Sequence, residues 1–453
     1  MQNTVSETIT DFLNEVSDNS FSNSSKDIFK ICLADWISVP IAANENDVSK
    51  VILSLLEDNK ESNDSFVFGT RLYASPRIAA LINGTISHAL DYDDTHFDYL
   101  GHPSVVVISA ALAIADKYKL NFDKFMKAVI IGMEVSCRIG VWLGRDHYRS
   151  GFHITSTAGI FGATIANSIL LNLSKDKIIN AIGIAASHSS GLKVQFGTMV
   201  KPYHAGMAAS SSIEAVLLAK NGMVSSNTAI DGNQGFGATH NAEFNNDAFK
   251  SLGKKYIFEN LTHKFHACCH GTHSTIEALL HLKNKFRIDV DDIDNISIFI
   301  HPQYLNVCNI LLPKTSLEAK FSYKMITSMV MNEINTSLVQ SFSDEICRDE
   351  HILSFGWASR AQIDEMKALT YKVNTVLSEL FINSGLILVD FKVEFGLSAE
   401  KILLADEFTP DGCRLWDSKT LKKMDKDRFR QGLGDVVESY HQVADRLGMN
   451  IKT

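Results

Sequence analysis

Apolar residues recur at helical spacing through most of the first 262 positions. Residues 5–40 read as two helices, the second (Lys26-Asp-Ile-Phe-Lys-Ile-Cys-Leu-Ala-Asp-Trp-Ile) ended by Pro40, which cannot continue the ladder. A further helix is predicted over 47–57, with a polar turn from Asn59 to Ser65 behind it. The run from Pro76 to Ser87 keeps the helical period, and Ser104 to Asp116 is apolar all round, which predicts a buried helix. Residues 122–143 carry Gly132 and Gly140 at positions that suit close helix packing. Helices over 157–171, 175–188 and 205–221 follow, the last ended by Gly222, a good C-cap. Almost nothing before residue 262 alternates as a strand does.

Beyond that point the texture changes. Asp291 to His301 alternates apolar and polar residues, as a half-buried strand does. Leu386 to Phe395 and Lys401 to Asp406 read as two more strands, joined into a hairpin by Gly396-Leu-Ser-Ala-Glu. Helices over 272–285, 317–331 and 359–367 interleave with them. This is an α+β segment attached to an all-α one, with the boundary near residue 265. The tail from Lys419 to Leu447 returns to helix and is expected to pack back on the first domain.

Composition narrows the classes. The 453 residues are 45% apolar and 21% charged, as in an ordinary soluble protein with a large core. A net charge of −9 with no dense basic stripe argues against nucleic acid. Seven scattered cysteines, an odd number, read as reduced thiols in a cytoplasm. The N-terminus lacks the basic flank and apolar run of a secretory signal. No apolar run reaches the roughly 18 uncharged residues of a membrane span.

The chemistry concentrates between His88 and Pro103, in a stretch that includes Asp91, Asp93, Asp94, His96, Asp98 and His102 and lies between two apolar runs. Such a knot is either a solvated acidic loop or a buried cluster, and a buried one must be paired or neutralised, which perturbs pKa values. Two further stretches, Gly151-Phe-His153 and Lys201-Pro-Tyr-His204, place titratable or cationic groups just before apolar helices. Free N–H groups and the dipole at a helix start favour anions, so the pair reads as a carboxylate or phosphate pocket. Lys264 to His273 offers zinc-type ligands, but adjacent Cys268 and Cys269 close poorly on one ion, and the wall of a cleft fits better. Leu317 to Lys324 begins a helix in the second domain.

Taken together, these stretches resemble the MmgE/PrpD family, which includes 2-methylcitrate dehydratase, cis-aconitate decarboxylase and iminodisuccinate epimerase. The resemblance spans nearly the whole chain. It rests on Asp91-Tyr-Asp-Asp-Thr95 with His102-Pro103, on Gly151-Phe-His153, on Lys201 to Gly206, on Lys264 to His273 and on Glu318-Ala-Lys-Phe-Ser322. It implies a mainly α fold: a large all-α helical domain over 1–265 completed by 408–453, with a smaller inserted α+β lid domain over 266–407. It also implies a homodimer and a cofactor-free active site between the domains. The family's site positions fall on Asp91, Thr95, His102, His153, Lys201 and Lys264. The lid histidine of the decarboxylase aligns with Cys269, leaving His266 and His270 as stand-ins, and its lid tyrosine aligns with Met325, two residues after Tyr323.

The expected chemistry makes or consumes a carbanion next to a carboxylate of a small di- or tricarboxylate. Lys201 and Lys264 suit carboxylate binding, and His102 and His153 suit proton transfer near neutrality. Asp91 would orient an imidazole or lysine or act as a base, and Thr95 would add a hydroxyl. Dehydration, decarboxylation and epimerisation share these parts. Two readings compete: a divalent metal held by His88, Asp91, Asp93, Asp94 and His96 in an all-α phosphohydrolase, and a catalytically dead helical scaffold.

Overall fold

Some helices of the first half start where the sequence supplies side-chain caps. Thr4 opens α1 (Val5–Glu15) with a reciprocal capping box to Glu7. α2 (Asn23–Ala42) runs through Pro40 instead of stopping there, because in the last turn the missing N–H forfeits a single ladder bond. After α3 (Asp47–Leu53) comes a short unforeseen hairpin, β1 (Ser65–Val67) antiparallel to β2 (Leu72–Ala74). The bundle proper is α4 (Pro76–Ile86), α5 (Pro103–Lys117), α6 (Phe122–Arg149), α7 (Ile154–Leu170), α8 (Lys175–His188) and α9 (Val200–Lys220). In the computed structural model the described residues are 3–16, 21–44, 46–59, 62–288, 293–342, 358–399, 401–405, 409–430 and 432–449.

α5 is the hub of this bundle. Its residues from Pro103 to Ala111 are all buried, and it packs on α4, α6, α7 and α9. The apolar-all-round pattern of its sequence is thereby explained. α6 and α7 approach so closely that a Cβ at Gly132 would lie 2.7 Å from the Gly162 carbonyl oxygen. A buried pair also ties α6 to the segment after α10 (Phe236–Thr239), which contains two short 3-10 turns, Asn246–Phe249 and Ile257–Asn260. Glu134 accepts from Arg138 Nε at 2.6 Å and from the Phe258 amide at 2.9 Å. The Arg138 guanidinium donates to the carbonyls of Ala248 and Lys255. That clasp fixes the backbone just ahead of Lys264.

The chain divides into two compact units, Met1–Ile346 and Cys347–Thr453. The division does not fall at 265 and 407, where the sequence patterns and the resemblance place it. Unit 1 includes α11 (His273–Phe286), α12 (Ser316–Ala319) and α13 (Tyr323–Met331). The expected helix over 317–331 is broken at Lys320–Ser322, where the Ser322 hydroxyl caps α13. Residues 293–301, expected as a strand, pair with no strand among the described residues, and Phe299 is 95% exposed. Residues 291 and 292 lie outside the described ones.

In the second unit the helix Arg360–Asn383 continues well past the expected end at 367. The expected hairpin forms only in part. β4 (Phe395–Ser398) pairs with β5 (Lys401–Leu404), whereas β3 (Leu386–Phe391) pairs antiparallel with β6 (Cys413–Asp417). The tail helix Val436–Arg446 sends Val443 into a core with Phe381, Leu386, Cys413, Leu415 and Met424. Expected to complete the helical domain, the tail therefore contributes to a core of the second unit's own. The fold is mainly α, and among the described residues no helix is long and apolar enough to cross a membrane.

Candidate active site

Three helix starts of the bundle meet at one cavity of about 620 Å³, within the usual size of a small-molecule site. His102 is the residue before α5, His153 the residue before α7, and Lys201 lies in the first turn of α9. All three line the cavity, as do Asp91, Thr95, Lys264, Cys269 and His270. Eight of the ten residues expected from sequence are thus brought together.

Asp91 is the centre of the arrangement. It is buried and sits in the left-handed region at φ 51°, a conformation that Asp tolerates better than most residues. Lys201 Nζ lies 2.5 Å from its Oδ1, Lys264 Nζ 3.2 Å and His102 Nε2 3.8 Å. Lys264 also donates to the Asp91 carbonyl at 2.5 Å, and Lys320 donates to the Leu90 carbonyl at 2.5 Å. Three lysines from distant parts of the chain therefore pin one turn. Burial works to raise the Asp91 pKa, but Lys201, Lys264 and His102 outweigh it and hold the carboxyl far below the usual range. Against its own burial, Lys264 is held above its ordinary value by Asp91 and Asp93. Burial instead lowers Lys320 to about 8, despite the pull of Asp91.

A second layer orients the histidines. Asp93 lies 2.8 Å from His88 Nδ1 and 3.1 Å from His102 Nδ1, the latter within ion-pair range but out of line for a hydrogen bond. His153 Nδ1 meets His204 Nδ1 at 3.1 Å, so one ring donates and the other accepts. Burial, reinforced by Lys201, drives His153 well below its ordinary value and His204 to about 4. Burial and the Lys201 charge thus hold both imidazoles toward their neutral, less basic form. Thr95 Oγ1 contacts His270 Nδ1 at 2.6 Å and Thr262 Oγ1 at 3.0 Å, joining the turn to the opposite wall. Phe196 and Phe321 flank Lys201, their ring centres 5.5 and 5.4 Å from its Nζ.

Two expected residues stand outside the cavity lining. His266 is satisfied elsewhere, with Nε2 at 2.8 Å from Glu277 and Nδ1 at 2.8 Å from Thr336 Oγ1. Tyr323 donates its hydroxyl to the Gly271 carbonyl at 2.8 Å and so supports the wall from behind. The five residues of the metal reading do not gather either. His88, Asp91, Asp93 and His102 share one cluster, Asp94 falls with Cys32 and His263 in another, and His96 Nε2 bonds the Ile257 carbonyl at 2.8 Å.

Residues that sequence reasoning passed over include Arg145, Tyr148 and Lys193, which line the cavity. The first two are placed by a break in α6 at Gly144, with φ 74° and ψ −172°, a conformation essentially confined to glycine. Lys193 Nζ donates to the Tyr148 carbonyl at 3.2 Å and sits 3.8 Å above the Tyr148 ring centre. Lys320 was within reach, since it lies in the Glu318–Ser322 stretch that carried the resemblance.

Comparison with known proteins finds two families in the chain, whose matches overlap over residues 326–373. Residues 326–447 match SAICAR synthetase. Phosphoribosylaminoimidazole-succinocarboxamide synthase of Alteromonas mediterranea is 64% identical over 109 residues, which is 24% of this chain and 46% of that protein. The enzyme of Pseudomonas putida strain F1 is 60% identical over 106 residues, 23% of this chain and 45% of its own length. A crystal structure of the Ehrlichia chaffeensis enzyme aligns at 45% identity over 24% of this chain and 50% of that one, with a TM-score of 0.23. The chain spans about half the length of these relatives. The resemblance read from sequence thus reaches less far than expected, because the C-terminal end matches a different family. Residues 7–247 match the MmgE/PrpD N-terminal domain and 266–373 the MmgE/PrpD C-terminal domain. The first match alone covers more than half of the 453 residues, and it contains Asp91, His102, His153 and Lys201: the chain belongs to the MmgE/PrpD family.

Proposed function

We propose that this protein is a cofactor-independent lyase acting on a small di- or tricarboxylate by proton transfer at a carbon next to a carboxylate. The MmgE/PrpD family comprises enzymes of dehydratase, decarboxylase and epimerase type. The observation that carries the reading is the Lys201–Asp91–Lys264 cluster, placed where three helix starts converge. Two ammonium groups share one carboxylate, so the cluster has cationic capacity left for a substrate carboxylate, and the helix dipoles add to it. In this reading Lys201 and Lys264 hold the substrate with Thr95 and His270, while neutral His153 takes the proton. His102, between Asp91 and Asp93, returns or relays it. The enzyme would work as a homodimer in the cytoplasm, with neither nucleic acid nor membrane as partner.

Cys269 and Met325 stand where the resemblance puts the lid histidine and tyrosine of cis-aconitate decarboxylase. That favours dehydration of a 2-methylcitrate-like substrate, with epimerisation of an iminodisuccinate-like one as the alternative. The deciding experiment incubates the protein in D₂O with small di- and tricarboxylates and follows them by proton NMR. Loss of the α-proton with elimination of water is expected. Exchange without net consumption would point to epimerisation, and no change in any substrate would sink the reading.

A metal-dependent reading has one observation behind it, the donor atoms of His88, Asp91, Asp93 and His102 lying within 4.8 Å of one another. Lys201 and Lys264 weigh against it, since two ammonium groups already hold the Asp91 carboxylate a divalent ion would need. Exhaustive chelation is expected to leave activity unchanged. Stoichiometric metal in the purified protein, with activity lost on its removal, would reverse the choice.

A further inference from the structure

Behind Cys269 of the cavity lining lies a second thiol for which the carboxylate chemistry has no use. Cys308 is buried, and its Sγ lies 3.3 Å from Sγ of Cys269, a residue that lines the cavity. Both cysteines are free. A disulfide needs the two sulfurs about 2.05 Å apart, so they have to close by only about 1.3 Å. The backbone on each side is held. The Cys269 amide donates to the Lys320 carbonyl at 3.1 Å, and the Cys308 carbonyl accepts from the Tyr323 amide at 3.0 Å.

The two thiols differ in character. The Cys308 S–H donates to Cys269, and this bond, with help from the Lys264 charge, lowers the Cys269 pKa against its burial. The same bond and burial push Cys308 well up. One sulfur is therefore prepared to attack, and the other keeps its proton until the attack has happened. Neighbouring Cys268 has a different fate. It is buried, within 3.2 Å of the Thr272 hydroxyl, and burial raises it to about 12.

We propose that Cys269 and Cys308 form a reversible oxidation site in the wall of the cavity, with Cys269 as attacking thiolate and Cys308 as resolving thiol toward a small-molecule disulfide. Cys269 thiolate attacks one sulfur of the disulfide, forming a mixed disulfide and expelling one small thiolate. Cys308 then passes its proton to that thiolate and attacks Cys269 Sγ, expelling the second, which takes up the proton that Cys269 released on ionising. The protein loses two electrons and its two thiols, and the small disulfide is reduced to two small thiols. This assignment rests on thiol geometry and is independent of which reaction the cavity hosts.

The test treats the full chain with oxidised glutathione and maps tryptic peptides under non-reducing conditions. Wild type is expected to yield a Cys269–Cys308 cross-link without retained glutathione, reversed by dithiothreitol. Cys308→Ser should stop with glutathione on Cys269, and Cys269→Ser should leave Cys308 unmodified. The wild-type result decides alone if a variant fails to fold. Glutathione retained on wild-type Cys269 without a cross-link, or a cross-link from Cys269 to Cys268, would overturn the proposal. So would absence of any reaction at Cys269, or modification of Cys308 in Cys269→Ser at the wild-type rate.

Discussion

At the level of single residues, Lys201 and His153 should fail in different ways. Lys201→Ala takes a charge-assisted donor from a desolvated site and leaves Asp91 to Lys264 and His102. We expect a loss of about 2–4 kcal/mol in kcat/KM, much of it in KM, as measured by steady-state kinetics. His153→Ala should instead lower kcat by about 10²–10⁴ at nearly constant KM and erase the acid limb of the pH–rate profile. An unaltered profile with normal kcat would return His153 to the role of a core histidine. Much of this set was legible in the sequence, because Asp91, His102, His153 and Lys201 sit in short stretches whose polar residues interrupt apolar helices. What was not legible is who pairs with whom. The Lys201–Asp91 contact spans 110 positions and the Lys264–Asp91 contact 173. His266 was misplaced for the same reason, since its partner Thr336 lies 70 residues away.

At the level of elements, the break in α6 is the feature to test. Gly144→Ala forces a Cβ to within 2.3 Å of the Glu243 carboxyl carbon and into backbone space that side chains avoid. The backbone term alone is about 1–3 kcal/mol, so a lowered melting temperature is expected. Weakened turnover should accompany it, because Arg145 and Tyr148 follow the break. A variant as stable and active as wild type would show that the break is incidental. Periodicity finds helices well because one face of each is buried, and α5 was readable as buried all round. It says little about interruptions such as Gly144 or Lys320–Ser322, which tertiary contacts decide. It also placed a strand over 291–301 and joined 386–395 to 401–406, because alternation marks a strand without naming its partner. The tail shows the same limit: an α+β pattern suits a lid as well as it suits the stretch that matches SAICAR synthetase.

At the level of the whole molecule, stability should peak near pH 6.5. Burial lowers His88, His147, His204 and His270 to about 4, His273 to about 3, and His153 well below its ordinary value. Groups with depressed histidine pKa bind fewer protons folded than unfolded, so stability falls as pH drops from about 6.5 toward 4. Each fully buried one, such as His88, contributes about 1.4 kcal/mol per pH unit in that window. Asp35 acts oppositely: burial and the charges of Asp94 and Asp93 raise it to about 8, and Asp94 is raised as well. Burial also raises Glu134 and lowers His96 and His240; the raised carboxylates lose stabilisation as pH rises toward 8, but three of them do not cancel eight histidines below 6.5. Melting temperatures across pH 4–8 should trace a dome, and Asp35→Asn should flatten its alkaline side. A separate core in each unit predicts two calorimetric transitions, and light scattering at micromolar concentration should give the mass of a dimer. The pinned turn at Leu90–Asp91 has one more consequence, and it concerns time. Its fasteners come from residues 201, 264 and 320, so loops of more than a hundred residues must close before the turn can lock. Loop closure of that span is slow relative to the docking of sequential helices. During refolding, amides of α5, α6 and α7 should gain protection from exchange before those of residues 88–96, and catalytic competence should lag behind helix content.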